Sequence, residues 1–174
     1  MKILIISLIS LFLFAKEVYF LPKDGYKAQK EICYLLTHAH KSIKIVMYSF
    51  TNKKIAKALK TASKHNIKID IIADKEEANY KRSVIKNLAT IKNINIFLLH
   101  GKAYKNGGYG KVHAKISIID GKYLITGSAN YTYSAFFKNY EYIIIHQNKN
   151  LIQKFEHFFN ELKQKSSSYR LSSK

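Results

Sequence analysis

The stretch from Val112 to Asn130 reads VHAKISIIDGKYLITGSAN, and its centre constrains the fold more than any other part of the chain. Asp120-Gly121 stands between two apolar runs, and both residue types tolerate the positive φ that a two-residue hairpin turn requires. Taken as that turn, the pair sets Ile119 against Lys122, Lys115 against Thr126 and His113 against Ser128. Side chains alternate along a strand, so Ala114, Ile116 and Ile118 share a face suited to a core. His113 and Lys115 share the other, with Ser128 and Asn130 opposite them. One hairpin thus collects an imidazole, an ammonium, a hydroxyl and an amide among its isoleucines. A pure core hairpin has no use for that set.

The rest of the chain alternates between the two periodicities. Val18 to Leu21, Ser42 to Phe50, Ile67 to Ala73, Ile94 to Leu99 and Glu141 to His146 read as strands. Helices are expected from Asp24 to about His40, from a Thr51 cap to His65, and from Glu76 to Ala89. A last helix shows its apolar face through Leu151, Ile152, Phe155, Phe158, Phe159 and Leu162. Gly101 to Lys111 (GKAYKNGGYGK) is a glycine-rich loop, and Ser166 to Lys174 reads as a flexible tail. Strands interleaved with helices indicate one α/β layered domain with a mixed sheet, over residues 18–165. No internal repeat is visible.

Composition narrows the partners. Hydrophobic residues make up 47% of 174, a folding composition. Thirty basic residues against 11 acidic give a net charge of +19, a field that draws in polyanions such as nucleic acid or an anionic membrane. Nearly all are Lys, which binds phosphate as a point charge and lacks the fork with which Arg reads bases. Backbone binding with little sequence specificity follows. The lone cysteine, Cys33, excludes an intrachain disulfide and reads as a buried structural thiol. His38-x-His40 lacks further ligands, so no metal site is expected.

The pattern His113-x-Lys115-x4-Asp120-x6-Gly127-Ser128-x-Asn130 arises by chance on the order of once in a hundred thousand for this composition. His100-Gly101-Lys102 begins the same way but has Gly107 where the acid belongs. The full pattern resembles the HxKxxxxD motif and following GSxN of the phospholipase D superfamily. Small size and a single motif make the chain similar to the bacterial Nuc-type endonucleases, and more distantly to mitochondrial single-motif phospholipase D-like proteins. The resemblance implies a phospholipase D/nuclease-like α/β/α sandwich, no cofactor, and a phosphohistidine mechanism. It implies His113 as nucleophile or proton donor and Lys115 and Asn130 on the phosphate oxygens. Ser128 would orient the phosphate or a neighbouring side chain, and Glu141 would hold an active-site histidine. Asp120 belongs to the motif, although its place in the turn gives it a structural reason to be there. Two such motifs meet at one site in this family, so a single-motif chain implies a homodimer with His113 facing His113.

Lys102, Tyr104, Lys105, Tyr109 and Lys111 precede the motif, and Tyr131 and Tyr133 follow it. Aromatic rings interleaved with lysines suit stacking of unpaired bases along a basic groove. The expected activity is therefore a metal-independent endonuclease of low sequence specificity, acting on DNA, with RNA open as a second substrate and single strands preferred. The alternative is a phospholipase D-type hydrolase of a lipid phosphodiester. At the N-terminus, Lys2 and the apolar run Ile3 to Phe14, then Ala15, suit a signal peptide or short membrane anchor over residues 1–17. Either places the domain in the periplasm or on the outer face of an inner membrane.

Overall fold

The computed structural model of the chain describes residues 17–170; the leader segment expected over 1–17 lies almost wholly outside them. Eight strands form one mixed sheet: β1 (Glu17–Leu21), β2 (Ser42–Met47), β3 (Lys68–Asp74), β4 (Ile94–Leu99), β5 (Lys115–Ile119), β6 (Tyr123–Gly127), β7 (Glu141–His146) and β8 (Ser167–Tyr169). Six helices join them: α1 (Gly25–Thr37), α2 (Lys53–Lys64), α3 (Lys75–Asn79), α4 (Ile85–Leu88), α5 (Tyr133–Phe137) and α6 (Lys149–Lys165). The strand order is β1-β7-β6-β5-β2-β3-β4-β8. β2, β3 and β4 run parallel, and every other pairing is antiparallel.

Burial on both faces makes this an α/β/α sandwich. On one face Ile43, Ile45, Ile69, Ile71, Ile125 and Ile143 pack with Ile32 and Leu36 of α1 and Ile55 and Leu59 of α2. On the other, Val46, Ile72, Ile116, Ile118 and Leu124 meet Ile152 and Phe159 of α6. A central sheet covered twice explains why β2 and β3 are so rich in isoleucine; the polar residue inside each, Lys44 and Asp70, is paired with Glu156 and Lys163 of α6. α6 reaches only part of its face. Beyond it Val18, Phe20 and Tyr142 stand exposed, at 40%, 64% and 45%.

Four local expectations are corrected. The helix expected over 76–89 is two short ones, because the Asp74 carboxylate caps α3 through Glu76 and Glu77 while Tyr80 turns extended. Asn52, not Thr51, caps α2, its side-chain oxygen accepting from the N–H groups of Lys54 and Ile55, while the N–H groups of both Thr51 and Asn52 donate to the Tyr131 carbonyl. Part of the supposed tail is β8, hydrogen-bonded along β4. The hairpin register also shifts by one: Ile119 pairs with Tyr123 and Thr126 with Ile116. Asp120 and Gly121 do take φ of 58° and 63°, and Lys122 N–H closes the turn onto the Ile119 carbonyl at 2.9 Å. Lys122 is then left over as an extra residue, which moves every later pairing by one.

Candidate active site

The turn end of the β5–β6 hairpin is an anchor. The Asp120 carboxylate accepts backbone N–H groups of His40 (2.9 Å), Lys41 (2.7 Å) and Ser42 (3.1 Å), and the Asp120 N–H returns a bond to the Ser42 carbonyl. These bonds fasten the hairpin to the start of β2. The carboxylate is partly open to solvent, so these charge-assisted bonds together stabilise by about 2 kcal/mol, and the motif's acid is engaged as a structural clamp.

The open end carries the chemistry. β2, β3 and β4 all finish at the same edge of the sheet, where α/β folds place their ligands. His113 stands exposed just before β5. Lys115, the first residue of β5, is only 8% exposed, yet its Nζ reaches His113 Nδ1 at 3.0 Å and the His113 carbonyl at 2.5 Å. Burial lowers the Lys115 pKa, and the nearby Glu141 carboxylate works to raise it again. The Tyr48 ring, from the loop after β2, lies 4.7 Å from the His113 ring, and the Lys111 ammonium donates to its hydroxyl at 2.9 Å. That bond is the largest cause raising the Lys111 pKa.

β6 ends at Gly127, where a Cβ would stand 2.1 Å from the Tyr142 carbonyl oxygen. Only glycine lets β7 come this close. Ser128 then leaves the ladder: its hydroxyl bonds the Glu141 carboxylate, and it accepts from the Tyr142 N–H at 3.1 Å. Among the described residues Glu141 thus bonds Ser128, while the side-chain partner of His113 is Lys115. Glu141 begins β7, directly beside Ser128, and acts on Lys115, the residue that reaches His113. Asn130 is held by its oxygen, which accepts the Ser49 N–H at 3.2 Å. Its NH₂ group remains available as a donor.

The binding residues divide. Tyr104 and Tyr109 are exposed at 59% and 53%, on a small hairpin closed by Gly101–Gly110 and Tyr104–Gly108 backbone bonds, with Tyr109 stacked on His100 at 4.7 Å. Lys102, Lys105 and Lys111 are exposed on the same segment, and Tyr133 is 63% exposed on α5. Tyr131 has to be withdrawn as a stacking residue. Its ring is buried against Phe50 and Phe136 and its hydroxyl lies 2.6 Å from Ser117 Oγ, so it is core. Sequence reasoning also passed over Tyr48, Ser49 and Asp74. Asp74 accepts the Val112 N–H at 2.9 Å and so fixes the approach to His113. Their one signal was position, at the ends of the parallel strands.

The family model described as cardiolipin synthase, PLD-like domain matches residues 32–163. The chain belongs to the phospholipase D superfamily of phosphodiesterases. Among relatives of this superfamily, a phospholipase D of Rickettsia prowazekii is 30% identical over 137 residues, 78% of this chain and 62% of that protein. A mitochondrial cardiolipin hydrolase of Xenopus laevis is 24% identical over 127 residues, 73% of this chain and 57% of that protein. The chain spans little more than half the length of these curated relatives. NucT from Helicobacter pylori shares the fold at a TM-score of 0.87 and 32% identity, over 90% of this chain and 99% of that one. Nuc from Salmonella typhimurium, a phospholipase D family member, does so at 0.74 and 24%, again over 90% and 99%.

Proposed function

We propose that this member of the superfamily is a metal-independent endonuclease that cleaves nucleic-acid phosphodiesters through a phosphohistidine on His113, with little regard for sequence. The observation that carries the reading is the exposed His113 ring with the Lys115 ammonium at its Nδ1, in a chain of net charge +19. In the first step a His113 Nε2 lone pair attacks phosphorus. The bond to the leaving oxygen breaks, and a second histidine supplies that oxygen with a proton. Water, deprotonated by the same second histidine, then displaces His113 and releases a phosphomonoester. Lys115 and the Asn130 NH₂ group neutralise charge on the non-bridging oxygens.

An ammonium can only donate, so Lys115 at Nδ1 leaves the resting ring with its proton on Nε2. A ring in that neutral tautomer cannot attack through Nε2, and the general acid has to be the imidazolium, protonated on both nitrogens. A phosphate oxygen is a stronger acceptor than imidazole and draws Lys115 away, which frees Nδ1 to take the proton and Nε2 to attack. The second histidine is the His113 of another copy in a symmetric homodimer. The uncovered apolar strip of Val18, Phe20 and Tyr142, one residue along from Glu141, supports such a pairing.

The likeness to NucT over nearly that protein's whole length, with the exposed Tyr104, Tyr109 and Tyr133, supports nucleic acid, single strands above all, as substrate. The relatives called phospholipase D and cardiolipin hydrolase favour the second reading, a lipid phosphodiester. No helix among the described residues is long and apolar enough to cross a membrane; export or anchoring rests on residues 3–14 and belongs to the same proposal. The test mixes the protein with labelled single-stranded DNA, duplex DNA, RNA and anionic phospholipid vesicles in EDTA, beside His113→Ala. Nucleic-acid cleavage that persists in EDTA and disappears in the variant is the expected result. Lipid turnover alone would replace it with the second reading.

A further inference from the structure

A cavity of 1110 Å³ opens between α2 and residues 81–91, and none of His113, Lys115, Ser128, Asn130 or Glu141 lines it. Its floor is apolar, with Ala56, Val84 and Leu88. Its rim is cationic, with Lys53, Lys57 and Lys60 on one bank and Lys81 and Arg82 on the other, and no carboxylate lines it. One end opens at Thr51 and Tyr133. Thr51 lies two residues beyond Ser49, whose N–H holds Asn130, and Tyr133 lies three residues beyond Asn130 itself. The groove therefore starts where the candidate active site stops.

We propose that this groove carries the phosphate backbone of the nucleic-acid strand as it leaves the His113 site, with Tyr133 stacking the first unpaired base at its mouth. The proposal rests on the nuclease reading above and adds to it a second, non-catalytic binding surface.

The charge arrangement has no structural benefit that would explain it otherwise. Lys53, Lys57 and Lys60 recur at helical spacing on one stripe of α2, where like charges destabilise a helix. Lys53 and Lys54 occupy the first turn, which contains no acid, against the helix dipole. Among the described residues, no ion pair neutralises the five rim cations. At ~1.5 Å per residue the α2 stripe runs for about 10 Å, longer than one phosphate group needs. An extended polyanion satisfies such a row, whereas a small anion would occupy one end of it. The Tyr133 ring, 63% exposed and 5.0 Å from Phe137, offers a flat face that base pairing would deny to a duplex.

The test compares two variants of equal charge change. Lys57→Gln/Lys60→Gln/Arg82→Gln removes rim charge, and Lys27→Gln/Lys154→Gln/Lys165→Gln removes as much from exposed positions of α1 and α6. Fluorescence anisotropy reads binding of fluorescein-labelled oligothymidylates of increasing length across a salt series, with thermal melting to establish folding. All the proteins, the one with the wild-type rim included, carry His113→Ala to keep the strands intact. The wild-type rim should bind longer strands more tightly. In the rim variant that gain flattens, the longest strand weakens by about tenfold or more, and the salt slope falls by about two, at ~0.7 per lost phosphate contact. The control variant changes little. Equal losses in both variants would overturn the groove and leave net charge as the cause. So would unaltered strand binding with loss of binding to anionic lipid vesicles, which would assign the rim to a membrane surface. The readout is binding, so a wild type that fails to cut strands defeats the nuclease reading while the binding series still decides the groove.

Discussion

The two ends of the β5–β6 hairpin have opposite characters, although one short motif supplies both. At the turn, Asp120 has every carboxylate bond taken up by the backbone of residues 40–42. At the open end, His113 is exposed, Asn130 keeps its NH₂ group free of the bond its oxygen makes, and Lys115 spends buried charge to reach the imidazole. The lesson is that residues recurring together in a motif need not share a role. A polar group satisfied by the fold holds the scaffold, and one left unsatisfied at a strand end awaits a ligand.

Substitutions at the two ends should separate stability from turnover. The largest effect is expected for His113→Ala: kcat falls by about a thousandfold or more while the melting temperature, read by calorimetry, changes little. The residue is exposed and loses only its contacts with Tyr48 and Lys115. Lys115→Met comes next, with kcat lower by about a hundredfold and stability level or slightly higher, since a buried ammonium becomes a thioether. Burial depresses the Lys115 pKa, so the unfolded chain binds the extra proton and stability climbs with pH between the lowered folded value and about 10.4. Lys115→Met should erase that climb in melts recorded across pH. A fall in its melting temperature at neutral pH would show that the lysine is a scaffold residue after all.

Asp120→Ala should do the reverse. Loss of the clamp costs about 2 kcal/mol, which lowers the melting temperature by roughly 4–8 °C in a chain of this size. Activity per folded molecule stays within about threefold, a margin set by a pathway that leaves the distant His113 untouched. A large loss of kcat in a fully folded Asp120→Ala would erase the contrast. The smallest effect is expected for Glu141→Gln. Its carboxylate raises the Lys115 pKa, so without it the ammonium is lost at lower pH. The alkaline limb of kcat/KM should move toward acid, with a modest change in kcat at neutral pH.

The sequence made the α/β layering legible because β2, β3 and β4 are isoleucine-rich, each broken by a single internal polar residue (Lys44, Asp70 and Asn95), and because α2 and α6 show apolar stripes. The site's residues were legible through one long pattern. What it concealed lay in contacts between distant segments. The register slipped because Lys122 became an extra residue at a turn whose φ values were read correctly, and alternation alone cannot count a bulge. Tyr131 sits among exposed polar residues in sequence but completes a pair with Ser117 inside the core. The rim cations at 81 and 82 gained meaning only when the expected helix broke at Tyr80 and set them across from α2.

β8 bears on how copies of this chain can associate. A sheet edge offers unpaired backbone groups to any passing strand, and crowding along a shared polyanion would multiply such encounters. Ser167–Tyr169 occupies the β4 edge with three residues, two of them exposed serines. Once laid down, that short polar strip gives a newcomer little backbone to zip onto, so growth of the sheet by strand addition on this side is quenched. Were copies to pair as proposed, this edge would leave the side-chain faces rather than open-ended strand stacking as the place to meet.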